Sequence, residues 1–159
     1  MEKYLRLLNP KTINYEAYRI DGGVQQLTAQ DVILAMSYAK LTPLQDNLIR
    51  LKCFGANTAH NLNIFVPVLE KYFKAILDQK IEVVDHHAVV IRIALTEFCA
   101  VTGKYSPTVR SRAVIGKVST MVVHRHINQH IDLFLNILNK EFEIGAEKII
   151  FQLDKTNFN

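Results

Sequence analysis

Disulfide scaffolding is excluded by scarcity: the 159-residue chain has only two cysteines, Cys53 and Cys99. Both fall in segments with helical patterning, so they read as buried thiols of a reducing compartment. No apolar run approaches the length of a membrane span. The start, Met-Glu-Lys-Tyr-Leu-Arg, lacks the apolar segment and small-residue cleavage site of a secretory signal. The expectation is a cytoplasmic protein with no membrane partner. There is no phosphate-binding loop, no dinucleotide fingerprint and no Gly-x-Ser-x-Gly, so nothing points to an enzyme. Internal repeats and low-complexity segments are also missing. The most telling absence is of acid: Phe98 to Ile131, 34 residues, contains no Asp or Glu.

That stretch carries Lys104, Arg110, Arg112, Lys117 and Arg125, together with His124, His126 and His130. Its +5 exceeds the +4 of the whole chain, leaving −1 for the rest. Clustered positive charge suggests a surface for a polyanion, with double-stranded DNA the leading partner. A hydrophobic content of 49% suffices for a core.

The pattern is all-α, a single helical domain of about five helices over 27–159 behind an irregular N-terminal arm, 1–26. Asn9-Pro10 and Asp21-Gly22-Gly23 are turn signals in that arm. Thr28 reads as an N-cap with Asp31 at N3, opening a helix with Val32, Ala35, Met36 and Ala39 on one face. Thr42-Pro43-Leu44-Gln45 opens a second, carrying Leu44, Leu48 and Leu51 and closing at Gly55. A third starts at Asn57 or Thr58 and reaches about Asp78. Pro67 is expected to kink or split it, and Val68, Leu69, Tyr72, Phe73, Ile76 and Leu77 make its core face. Asp85 caps a fourth, His86 to Thr102, with Val89, Val90, Ile93 and Ala94 inward and Gly103 closing it. Ser106-Pro107 starts the fifth, which reaches Phe142 and ends at Glu143-Ile144-Gly145. A break is possible at Gly116 to Ser119, and Ile149 to Leu153 is ambiguous between strand and helix.

Thr102 to Arg112 reads as the end of one helix, a tight turn at Gly103 and the basic start of another, a helix–turn–helix-like unit. Ser106, Thr108, Arg110 and Ser111 would face DNA, with Val109 packing inward. Arg110 would read guanine or bind phosphate. Lys104 and Tyr105 suit backbone phosphates. On an ideal helix Arg110, Lys117 and Arg125 lie within about 80° of one another, interleaved with Val114 and Met121. Arg112 belongs to the same charge cluster although it points away from that face. The ordinary alternative is a solvated basic face on a helical hairpin; a third is a surface for an acidic protein. His126 and His130, at i and i+4 with His124 nearby, raise a zinc site, but no Cys or suitably spaced acid joins them, and no metal or cofactor is expected. Asp85-His86-His87 invites an acid–base reading, yet Asp85 is better spent as a cap. Cys99, among Leu95, Phe98 and Val101, reads as a buried thiol and not as a nucleophile, with no obvious base beside it in the sequence.

Three blocks, in order, resemble the late-gene antitermination protein Q family of lambdoid phages. They are Asn9-Pro10-Lys11; the helix Leu27-Thr28-Ala29-Gln30-Asp31-Val32-Ile33-Leu34-Ala35-Met36-Ser37-Tyr38-Ala39-Lys40; and Val90 to Arg112, where Phe98-Cys99 precedes a basic Ser-Pro turn. The family's cysteine-rich zinc-binding insert has no counterpart here, so no zinc site carries over. The resemblance implies a protein that engages promoter DNA and RNA polymerase with its sigma factor to allow terminator read-through. A protein-interaction module, an adaptor or inhibitor using a basic helix against an acidic partner, is the alternative.

Overall fold

The computed structural model describes residues 29–100 and 105–157. Every regular element among them is helical. The N-terminal arm, Thr28 and the Gly103 turn with Lys104 lie outside the described residues. No helix among the described residues is long and apolar enough to cross a membrane. The described residues fall into two compact units, one within Met1–Ala56 and Glu141–Asn159, the other within Asn57–Lys140.

The first unit holds α1 (Ala29–Tyr38), α2 (Pro43–Cys53) and the C-terminal part of the last helix. Val32, Ala35, Met36 and Ala39 are buried, as their spacing requires. Thr42 caps α2: its hydroxyl accepts from the Gln45 N–H at 3.2 Å, and the Gln45 side chain accepts the Thr42 N–H at 3.2 Å. The buried Gln45 amide also donates to Glu141 Oε2 at 2.9 Å, and its oxygen accepts from Lys148 Nζ at 2.9 Å. Gly55, at φ +68°, follows α2 in the left-handed conformation that glycine adopts cheaply.

The second unit contains α3 (Ala59–Tyr72), α4 (Lys74–Lys80), α5 (Asp85–Cys99) and α6 (Val109–Gly116). After it come the short turn α7 (Thr120–Val122), a π-helical segment (Val123–Ile127) and the first part of α8 (Asn128–Asn157). Its core is built by Leu69, Leu77, Ile91, Ile93, Leu95, Phe98, Ile127, Ile131 and Phe134. Phe73 meets Phe134 edge-on at 5.5 Å between ring centroids.

Several expected boundaries move. Pro67 does not split α3. Pro67 and Asn63, whose carbonyl the proline leaves without its helical donor, are both exposed residues. The break falls at Phe73 instead. Only Leu69, Phe73 and Leu77 of the expected core face are buried, while Val68 and Tyr72 are exposed. Asp85 is the first residue of α5, not its cap; the His86 and His87 N–H groups bond to the Val83 and Val84 carbonyls instead. α6 starts at Val109, because Thr108 and Ser111 form the reciprocal cap. The break expected at Gly116 to Ser119 is present, with Lys117 left-handed at φ 55° and Ser119 capping α7. Gly145 does not end a helix but lies within α8, where a Cβ would sit 3.0 Å from Ile49 Cδ1. Ile149 to Leu153 is helical.

The π segment has a visible cause. Buried residues recur at Val123, Ile127, Ile131, Phe134 and Leu138. Two successive steps of four drift off one face of an α-helix, about 40° per step at ~100° per residue. The wider i→i+5 turn, closed by the Asn128 N–H on the Val123 carbonyl, absorbs that drift.

Candidate nucleic-acid interface

Arg112 is the most constrained residue of the acid-free stretch. Only 4% exposed, it forms a bidentate pair with Glu97, Nε to Oε1 and Nη2 to Oε2, both at 2.8 Å. Nη1 donates to Asn128 Oδ1 at 2.7 Å and Nη2 to Asp132 Oδ1 at 2.6 Å. The Glu97 hydrogen bond raises its pKa against the opposing effect of burial, with Asp132 adding to the rise. Glu97 and Asp132 are the first acids on either side of the acid-free stretch. Both bond Arg112, which therefore ties α5, α6 and α8 together and is withdrawn from any polyanion. Its assignment to the DNA-facing set is corrected: the pair fills the guanidinium's fork.

Three other members of the set are held locally. The Tyr105 hydroxyl donates to Glu97 Oε1 at 2.9 Å and lies 3.1 Å from Ser111 Oγ. Burial chiefly raises its pKa; the Ser111 bond opposes this and Glu97 adds to it. Thr108 Oγ1 accepts the Ser111 N–H at 3.0 Å, and Ser111 Oγ accepts the Thr108 N–H at 2.9 Å. Thr108 is the cap of α6, and Ser111 completes it. Lys104 lies outside the described residues.

What remains outward is Ser106, Arg110, Lys117 and Arg125, all exposed. None of the three cations makes an ion pair among the described residues. The common face expected for them assumed one continuous helix. The chain instead turns at Lys117, so Arg110 sits on α6 and Arg125 in the π segment. Ser119, Thr120, Met121 and His124 are exposed beside them, and Val114 and Met121 are 75% and 59% exposed.

The histidines do not gather into a metal centre: among the described residues no three His, Cys, Asp or Glu side chains converge in a way that would hold an ion. His126 faces His86 at 6.4 Å between ring centroids, a pairing with no sequence signal. Burial, then Lys80, lowers the His130 pKa. His87 is buried, its Nε2 3.0 Å from the Ile81 carbonyl. That carbonyl can only accept, so Nε2 carries the proton and the ring is anchored to backbone. Burial pushes the Cys53 thiol up to about 11, which suits an inert core thiol. Cys99 is half-buried.

Glu97 was legible in principle: an acid between Leu95 and Phe98 on an apolar helix needs a buried cation. The chain matches no protein-family model, no curated protein and no solved structure.

Proposed function

We propose that this chain is a transcription regulator that binds duplex DNA through the exposed part of its acid-free segment. One observation carries this reading. The acids bounding the segment, buried Glu97 and half-exposed Asp132, both bond Arg112, while Arg110, Lys117 and Arg125 are exposed and without an ion pair among the described residues. Such groups are suited to phosphates, whose neutralisation supplies most non-specific affinity. The narrower role, terminator read-through with RNA polymerase and its sigma factor, rests on the resemblance to the lambdoid antitermination proteins alone.

Selection of bound sequences from a random duplex pool tests the reading. A defined enriched motif is expected, and its absence counts against a regulator. Arg110→Ala should weaken binding to the enriched site by about 1–3 kcal/mol. Undiminished affinity would remove Arg110 from the interface.

The second reading, a protein-interaction module, is favoured by Val114 and Met121, large apolar side chains exposed among the cations. Comparing duplex DNA with heparin at two salt concentrations separates the two. Equal, weak and purely salt-driven binding to both favours a protein partner.

A further inference from the structure

We infer that the base-reading element is the helical start at Ser119–Arg125, with α6 as the supporting helix, in place of the α5–α6 pair. This rests on the DNA-binding reading above and assigns its reading edge. A helix–turn–helix reader needs a short first helix, a tight turn and a second helix whose first residues reach base edges while the first helix crosses the backbone.

α6 is eight residues long. Lys117, Val118 and Ser119 make the turn, with Lys117 left-handed at φ 55°, ψ 40°. That conformation is costly for a residue bearing a Cβ. The second helix is capped by Ser119, whose hydroxyl accepts the Val122 N–H at 3.2 Å, and runs without a break through the π segment into α8.

Both helices are seated firmly. In α6, Ala113 and Gly116 are buried, and a Cβ on Gly116 would lie 2.8 Å from Ile93 Cδ1 and 2.9 Å from Val89 Cγ1 of α5. In the second helix, Val123 and Ile127 are fully buried. The outward positions are Thr120, Met121, His124 and Arg125, spaced one, four and five residues from the first. This set offers a hydroxyl, a methyl for apolar contact, an imidazole and a guanidinium, all groups that contact base edges in the major groove or the phosphates beside it. The start of α6 is poorer: Thr108 and Ser111 are spent on its cap, Val109 is half-buried and Arg112 is locked to Glu97. Its one outward cation, Arg110, sits where a first helix meets phosphate. Charge complementarity commits the surface to duplex DNA: Arg125 on the reading edge, Arg110 on the supporting helix and Lys117 in the turn are exposed cations, and the stretch from Phe98 to Ile131 carries no acid.

The test uses the full chain. Thr120→Ala, His124→Ala and, as a control on the exposed side of α4, Gln79→Ala are each passed through selection from a random duplex pool beside the unaltered protein. Thr120 and His124 are exposed, and thermal melting verifies that each variant folds. The expected result is loss of base preference at one or two positions for Thr120→Ala and His124→Ala. Affinity for the original site should fall about tenfold or more, with binding to unrelated duplex at low salt little changed. Gln79→Ala keeps the motif. An unchanged motif for both helix variants overturns the assignment of the reading edge while DNA binding stands. Failure of the unaltered protein to bind any duplex overturns both.

Discussion

Arg112 shows how little a formal charge says about availability. Read along the sequence it is one of five cations in an acid-free stretch; folded, it is a buried strut held by Glu97, Asp132 and Asn128. Desolvating the guanidinium is costly and is offset only while the bidentate pair is intact. Arg112→Ala should destabilise the chain by about 3–5 kcal/mol by leaving the Glu97 carboxylate buried without its cation. Urea unfolding measures this, and an effect below about 1 kcal/mol would show that water replaces the pair. The double replacement Arg112→Met with Glu97→Leu should recover most of the loss, since an apolar pair of similar volume needs no desolvation. Exposed cations such as Arg110 and Arg125 were legible from the sequence. The fate of Arg112 was not, because its partners lie 15 and 20 residues away.

Among the elements, caps were read best where side chain and backbone satisfy each other within four residues. Thr42 with Gln45 is such a case, and Gly55 closes α2 as expected. Where an N–H could find another acceptor, the local rule failed. Asp85 is not a cap because the α5 N-terminus closes on the Val83 and Val84 carbonyls, and Ser106 yields to Thr108 because Ser111 supplies the second half of the box. Glycines show the same division. By sequence Gly116 is a weak point in a helix, and the chain does turn beside it, yet its smallness also serves the packing against Val89 and Ile93. An exposed helical Gly→Ala change gains about 0.5–1 kcal/mol. Gly116→Ala should instead lose about 1–3 kcal/mol, because Val89, stiff at its branched carbon, cannot step aside. A raised thermal midpoint for this variant would show that α6 stands further from α5 than these distances state.

For the molecule as a whole, net charge is the coarse quantity and its distribution the informative one. With Arg112 neutralised internally, Arg110, Lys117 and Arg125 are the described cations of the stretch open to phosphate. Three phosphate contacts give a slope of about −2.7 in log affinity against log salt. Lys117→Gln and Arg125→Gln should each make that slope shallower by about 1, as read by titration of labelled duplex over a range of salt. Unchanged slopes would place the phosphates elsewhere. The sequence by itself determined the helical class, the inward faces of α1 and α2 and the segment in which positive charge accumulates, because periodicity, capping and composition act over a few residues. Only the tertiary structure decided the break at Phe73, the continuation of α8 through Gly145, the burial of Arg112 and the surfacing of Thr120, Met121 and His124. These depend on which side chains meet across helices distant in sequence, and a linear pattern does not carry that information.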